Sequence, residues 1–339
     1  MKKIVIFGAT GKIGCYTALH LKGLGFEVIA VGKRKDDNGF FADYGIPFHS
    51  VDILCRDHFR ELPQENVYGV IHMAAVLPAK MEGYDPREYV ESNIIGTMNV
   101  LDYAVQAGVS RFVYPKSWSD VIYLTGSTKP IPADAPVRFP VNDDHTIYCI
   151  TKNAAVDIVC HYAAKFGFNY YILRLPNIFC YHPDPTYCVD GTRRWQGMWR
   201  IIEQAKRGVD IELWGNPQAA RDFIYVKDCV QIVEKTLTSG GKSGLYNVGT
   251  GIATTRIDQL KGIVEVFSPS DHPSRIVMAP DKPSAPFFLL DISKTIEELG
   301  YHPEYGYLRS LNDIKEEMEK ERFAKLWGRR EDYTAGLTI

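Results

Sequence analysis

Two residues one helical turn apart carry the clearest chemistry in this chain: Tyr148 and Lys152, in the run Tyr148-Cys-Ile-Thr-Lys152. A spacing of four puts both side chains on one face of a helix. A tyrosine with a pKa of ~10 is a poor base at neutral pH. A neighbouring ammonium favours the phenolate, and so does an oxidised nicotinamide ring. Such a pair can exchange a proton with a substrate hydroxyl while hydride moves to or from a dinucleotide. The second feature is the turn Gly8-Ala-Thr10-Gly11-Lys12-Ile13-Gly14, directly after the apolar run Ile4-Val5-Ile6-Phe7. Glycines at that spacing let the chain turn tightly and let a pyrophosphate approach N–H groups at a helix start. The third glycine allows close packing of helix on strand.

The choice of dinucleotide is written at the end of the next strand, Val31-Gly32-Lys33-Arg34-Lys35. A site for NAD places Asp or Glu here, to bond the ribose 2′-OH. Gly32 stands there instead, and no carboxylate follows until Asp36. Lys33 and Arg34 can pair a 2′-phosphate, which predicts NADP as the preferred cofactor over NAD.

These residues need elements to hold them. Strand-like runs fall at 3–7, 27–31, 48–52, 69–74, 111–114 and 170–175, rich in Val, Ile, Phe and Tyr. Amphipathic segments lie between them, including 86–108 and 147–167, each closed by a helix-stopping glycine. Strands alternating with helices predict an α/β fold: a doubly wound parallel sheet with helices on both faces. After Leu175 the pattern changes. Residues 176–190 read as a loop, 195–207 and 226–239 as helices, and 245–248 as a further strand. Residues 1–175 and 222–250 are therefore expected to form a dinucleotide-binding domain. A smaller α/β substrate lobe takes 176–221 and 251–339, with the site in the cleft between them. The charged stretch from Lys315 to Arg330 reads as a solvated helix, and His145 as a solvated loop histidine.

Composition bounds the class. The chain has 339 residues, 45% hydrophobic and 24% charged, with 39 Lys plus Arg against 41 Asp plus Glu. That length buries a large core without staples. A formal charge of -2 gives no broad basic field for nucleic acid or anionic membrane. The seven cysteines form no Cys-x-x-Cys pair, so they read as small buried hydrophobes in a reducing cytoplasm rather than as disulfides or a metal site. No apolar stretch approaches the ~18 residues of a membrane span.

With the glycine turn and the Tyr148/Lys152 pair in place, the chain resembles an extended short-chain dehydrogenase/reductase of the NAD-dependent epimerase/dehydratase type, with a Rossmann domain. Other segments match in the family's order. Asp52-Ile53 resembles the adenine-contacting pair. His72-Met73-Ala74-Ala75 resembles the motif beside the cofactor phosphates and ribose, with His72 structural. Asn93-Ile-Ile-Gly96-Thr97 resembles the helix motif whose Asn supports the active-site backbone. Arg174-Leu-Pro176-Asn177 resembles the turn into the substrate lobe, which implies Pro176 at the cofactor and Asn177 at the substrate. Arg221-Asp222-Phe223-Ile-Tyr225 resembles the segment whose Arg contacts a substrate diphosphate, with Tyr225 beside it. The aromatics Tyr181, His182, Tyr187, Trp195 and Trp199 fall in the family's substrate loop, where stacking on a base or sugar and packing within the lobe explain them equally.

The resemblance also implies a catalytic Ser or Thr after the fifth strand, to hydrogen-bond the substrate oxygen and orient Tyr148. Counting from the strand selects Ser117; counting back from Ile122-Tyr123 selects Ser119. The strand is the better anchor of register, so Ser117 is preferred. Two departures matter. Dehydratases carry Asp-Glu after the Thr, and Ser119-Asp120-Val121 keeps at most the Asp. Where many relatives have Arg-Pro-Gly-Asp to hold the diphosphate, this chain has Pro280-Asp281-Lys282-Pro283, so Lys282 is the substitute cation. The implied activity is epimerisation of a nucleotide sugar through Tyr-Lys proton transfer and hydride exchange, by a homodimer built on helices 86–108 and 147–167. The alternatives are an NADPH-dependent reductase of a keto sugar or other small carbonyl compound, and a non-enzymatic cofactor-binding sensor.

Overall fold

The first strand, β1 (Lys3–Phe7), has Ile4, Val5, Ile6 and Phe7 all inaccessible to solvent. Burial on both faces is the mark of a strand inside a parallel sheet covered by helices. The computed structural model describes residues 1–77, 85–141, 146–189 and 192–337; His145 lies outside them. From β1 the chain runs through α1 (Lys12–Gly23), β2 (Glu27–Gly32), β3 (Phe48–Ser50), β4 (Val67–His72), α2 (Pro86–Val90), α3 (Gly96–Gln106), β5 (Arg111–Ser117), α4 (Thr146–Phe166) and β6 (Asn169–Leu175). Next come β7 (Ile178–Phe179), β8 (Thr186–Val189), β9 (Thr192–Trp195), α5 (Gly197–Lys206), β10 (Ile211–Trp214), β11 (Ala220–Asp222), β12 (Ile224–Tyr225), α6 (Val226–Thr238) and β13 (Gly244–Asn247). The last are β14 (Ala253–Thr255), α7 (Arg256–Phe267), β15 (Ile276–Ala279), α8 (Ser293–Leu299), α9 (Tyr307–Lys320), α10 (Ala324–Trp327) and α11 (Glu331–Thr334).

Seven strands form one parallel sheet in the order β13-β6-β5-β4-β1-β2-β3. The order reverses at β1, which pairs with both β2 and β4. A crevice opens at the carboxyl ends of strands at such a switch point. A hydrophobic cluster covers each face of the sheet. Four short two-stranded ladders lie outside it, and among the described residues no helix is long and apolar enough to cross a membrane.

Two stretches differ from the sequence reading. Residues 176–190 are not loop throughout. Ile178–Phe179 pairs with β12, and β8 and β9 form an antiparallel pair with Thr186 opposite Trp195, so the helix after it starts at Gly197. Cross-strand pairing supplies what the local sequence hides. The Lys315–Arg330 stretch is not a solvated helix. α9 stops at Lys320, Glu321 takes a left-handed conformation, and Phe323, Leu326 and Trp327 are buried. The Phe323 ring lies 4.8 Å from that of Tyr16 and 5.9 Å from that of Phe40. Apolar residues at 323, 326 and 327 share one face of a short helix, a spacing that the surrounding charges mask.

Candidate active site

The glycine turn closes the crevice from below. Gly8 has φ +79°, and a Cβ there would stand 2.6 Å from the Ala74 amide nitrogen and 2.8 Å from the Met73 carbonyl carbon. Only glycine lets the turn lie this close to the segment after β4. Gly14 is needed for a different contact: a Cβ there would run into the Gly8 carbonyl. Met73 N donates to the Phe7 carbonyl at 2.8 Å and Ala9 N to the Val31 carbonyl at 2.9 Å. The ends of β1, β2 and β4 are thereby fastened together. α1 then begins at Lys12 with no side-chain cap on Gly11 and no acid in its first turn. The amides around Thr10, Lys12 and Ile13 thus form an uncapped, uncompensated helix N-terminus, which fits a pyrophosphate. Met73, Ala74 and Ala75 line the same edge, half-buried.

Beyond the end of β2, Asp52 lies 3.2 Å from the exposed Lys33 ammonium and accepts from the Leu54 amide at 3.0 Å. Ile53 is buried, its carbonyl held by Asn99. Arg34 turns away from Lys33 and donates to the Leu326 carbonyl. The C-terminal segment reaches the turn itself: the Trp327 indole N–H donates to the Thr10 carbonyl at 2.8 Å.

Asn93 fastens the reactive helix to this edge. It sits in a five-residue π-helical turn, Glu91–Ile95, between α2 and α3, a local widening often found at functional sites. Its carbonyl accepts from Val76 N at 3.0 Å, and its amide donates to the Thr151 hydroxyl at 3.2 Å. The segment after β4 is thus joined to α4 one residue before Lys152. His72 is buried, 3.0 Å from the Thr97 hydroxyl, and burial lowers its pKa to about 3, so it stays neutral and structural.

Lys152 is 2% exposed, and its ammonium lies 3.8 Å from the centre of the Tyr114 ring. Burial, followed by repulsion from Lys116, pulls its pKa down to about 7. Tyr148 is half-buried one turn earlier. Burial pushes its phenol above the ordinary tyrosine value, and Cys149 adds to the shift. In the protein alone, desolvation of the phenolate outweighs acidification by a neighbouring ammonium. Ser117 ends β5 opposite Leu175. Its hydroxyl accepts from Ser119 N at 3.2 Å and lies 2.9 Å from the Ser119 hydroxyl. The extra residues of this loop are taken up by the 3-10 turn Trp118–Leu124, so both serines meet at the strand end.

Beneath this face lies an ionic cluster that sequence reasoning missed. Asp120, 1% exposed, binds Arg174 through Nε at 3.1 Å and the Lys116 ammonium at 2.6 Å. Arg174 also donates to the Ala133 carbonyl and Asn247, while Lys116 donates to Asn153 on α4. Asp120 is therefore enclosed and committed to its two buried cations. Charged residues inside apolar strand ends were the available signal, because such residues stay buried only when paired.

The substrate-lobe candidates separate. Pro176 is buried and Asn177 exposed just beyond β6. Arg221 is half-buried on β11 with its Nε buried and unpartnered. The neighbouring Asp222 accepts from the Thr250 and Gly251 amides, and burial raises its pKa to about 6. Tyr225 does not reach a cleft: it is fully buried, and its hydroxyl donates to Asp313 of α9. Lys282 is also committed elsewhere. Its ammonium pairs with Glu212 at 2.9 Å and lies 4.7 Å from the Trp214 ring centre. Tyr181, His182, Trp195 and Trp199 pack within the lobe and against the C-terminal segment. His182 lies 4.6 Å from the Trp327 ring, and Arg330 lies over Trp199 at 4.6 Å.

A family model described as "NAD dependent epimerase/dehydratase family" matches residues 4–249. The UDP-glucose 4-epimerase of Rhizobium leguminosarum bv. trifolii is 24% identical over 322 residues, covering 89% of this chain and 93% of that protein. The solved UDP-glucose 4-epimerase of Thermotoga maritima with UDP-glucose superposes with a TM-score of 0.75 at 22% identity, over 94% of this chain and 99% of that one. The UDP-glucuronic acid 4-epimerase of Bacillus cereus in complex with NAD gives 0.69 at 20% identity, over 94% and 98%.

Proposed function

The chain belongs to the NAD dependent epimerase/dehydratase family, and from that premise we propose that it inverts a hydroxyl-bearing carbon of a nucleotide sugar, with a UDP-sugar 4-epimerisation favoured by its relatives. One observation carries the reading. Lys152 is buried against Tyr114 on the helix that Asn93 joins to the segment after β4, and that same segment lies against Gly8 of the turn leading into the uncapped start of α1. When bound there, a nicotinamide dinucleotide supplies the acceptor and donor of hydride. Gly8, Gly11 and Gly14 shape its phosphate seat, and Asp52 and Ile53 border the adenosine end. Tyr148 takes and returns the proton of the substrate hydroxyl, and Lys152 stabilises the phenolate once ligands fill the cleft. Ser117, with Ser119 against it, donates to the same substrate oxygen. Arg221, a guanidinium without a carboxylate, supports an anionic substrate. The enclosure of Asp120 speaks against a 4,6-dehydratase.

NADP is the preferred dinucleotide in this reading, carried by Lys33, which is exposed just after β2, 3.2 Å from Asp52, in a stretch of chain with no acidic residue before Asp36. That same feature supports the second reading, a net NADPH-dependent reductase of a keto sugar. The two-lobe division at residues 175, 222 and 250 and a homodimer through the outer faces of α2, α3 and α4 belong to the proposal, as does a cytoplasmic setting that suits the buried thiols of Cys15, Cys180 and Cys229.

The test is NMR of UDP-glucose, UDP-glucuronate and UDP-N-acetylglucosamine incubated with the purified chain and catalytic dinucleotide. A new C4 epimer without net cofactor turnover is expected. Tyr148→Phe should lower that rate by roughly 10²–10⁴-fold while dinucleotide affinity holds. Stoichiometric NADPH consumption with a keto sugar would select the reductase. No binding of any nucleotide sugar would overturn the substrate class.

A further inference from the structure

A second arginine, Arg256, is held close in the fold to Arg221. β11 pairs with β14 in antiparallel register, Arg221 opposite Thr254. Two residues further on, Arg256 opens α7, and its amide donates to the Ala219 carbonyl at 2.7 Å. The start of β11 and the start of α7 are thus clamped together, so both arginines come from one small, fixed unit. Arg256 is half-buried. Its guanidinium donates to the Gln259 side-chain oxygen Oε1 at 3.4 Å; the Gln259 amide nitrogen donates to the Thr254 carbonyl, and its backbone carbonyl accepts from the Tyr307 hydroxyl. Among the described residues neither arginine meets a carboxylate. Asp258, the acid in the first turn of α7, is engaged by the Thr255 hydroxyl. Burial weakens the hold of both guanidinium groups on their protons; at Arg256 Tyr307 opposes this and the Arg221 charge adds to it. Two half-buried like charges on one clamped unit, with the Arg221 Nε buried and unpartnered, suit an anion.

We infer that Arg256 is the second diphosphate-binding cation of the substrate site, acting with Arg221 in the role that chain position suggested for Lys282. The inference rests on the nucleotide-sugar reading above. Two guanidinium forks grip a diphosphate with directed, paired hydrogen bonds, which the ammonium of Lys282 does not offer even when free.

Calorimetric titration of the full chain with UDP and with uridine tests this. Arg256→Gln should weaken UDP binding by roughly 10–100-fold, the loss of a charge-assisted hydrogen bond, and leave uridine binding within about two-fold of wild type. Arg256→Lys, which keeps charge and bulk, should fall between. Lys282→Ala should bind UDP as wild type does. Unchanged UDP affinity in Arg256→Gln overturns the inference and leaves the nucleotide-sugar reading standing, as does an equal loss in Lys282→Ala. A wild-type chain that binds no nucleoside diphosphate overturns both.

Discussion

Lys152→Met should stabilise the dinucleotide-free protein. Lys152 is 2% exposed, and burial with repulsion from Lys116 brings its pKa from 10.5 to about 7. A shift of that size corresponds to roughly 5 kcal/mol of disfavour toward the ammonium. The sign follows from proton linkage. Between pH 7 and 10.5 the unfolded chain holds a proton that the folded chain has released, so stability rises with pH across this window. The penalty is present almost in full at pH 7 and below and is gone above 10.5. Methionine matches the stem of lysine and carries no charge. After relaxation of the site, replacing a buried charge by an apolar side chain recovers about 2–4 kcal/mol. For a chain of 339 residues that raises the melting temperature by about 3–6 °C. Differential scanning calorimetry from pH 6.5 to 9.5 measures it. The variant should melt higher at pH 6.5, and the gap should narrow steadily toward pH 9.5. Saturating dinucleotide should stabilise wild type more than the variant, because the ammonium then gains partners. A variant that melts lower than wild type at pH 6.5, or a gap independent of pH, refutes the reasoning.

Asp120→Asn leaves Arg174 and Lys116 short of their buried counter-charge. It should cost about 3–5 kcal/mol in urea unfolding, and a loss under ~1 kcal/mol would contradict the enclosed cluster. Gly8→Ala introduces a methyl 2.6 Å from Ala74 N at φ +79°. Quenching of tryptophan fluorescence by added dinucleotide should show affinity reduced at least about tenfold, the effect of a displaced binding atom, and unchanged affinity would remove the close-approach argument. Ile95 and Ile150 are each more than 40% exposed on the outer faces of the helices proposed to pair. Sedimentation should find a dimer in wild type and a monomer after Ile95→Glu with Ile150→Glu, whereas a monomeric wild type sinks the dimer.

Much of the sheet was legible because its signals are local. β1, β5 and β6 announce themselves as short runs of Val, Ile, Phe and Tyr, and the glycine turn follows one of them directly. The Tyr148/Lys152 spacing is legible for the same reason, since four residues on a helix fix relative direction without help from the rest of the chain. The identity of a second diphosphate cation was not legible. Lys282 sits at the expected chain position, yet Glu212, seventy residues away in sequence, holds it. Arg256 gains its place from the pairing of β11 with β14. The C-terminal stretch misled by composition: its charges are numerous, but Trp327 and Phe323 decide where it goes.

By itself, then, the sequence determined that Tyr148 and Lys152 stand one helical turn apart, where the glycine turn begins, and that strands and helices alternate, because each depends on neighbours within a few positions. Only the tertiary structure decided which charges are free. Arg34, Lys282 and Asp120 are committed to distant partners, the Arg221 Nε is left without one among the described residues, and Lys152 is desolvated to a pKa of about 7. Charge pairing and burial arise where remote segments meet, and the free energy of an ionisable group is set by what surrounds it in space.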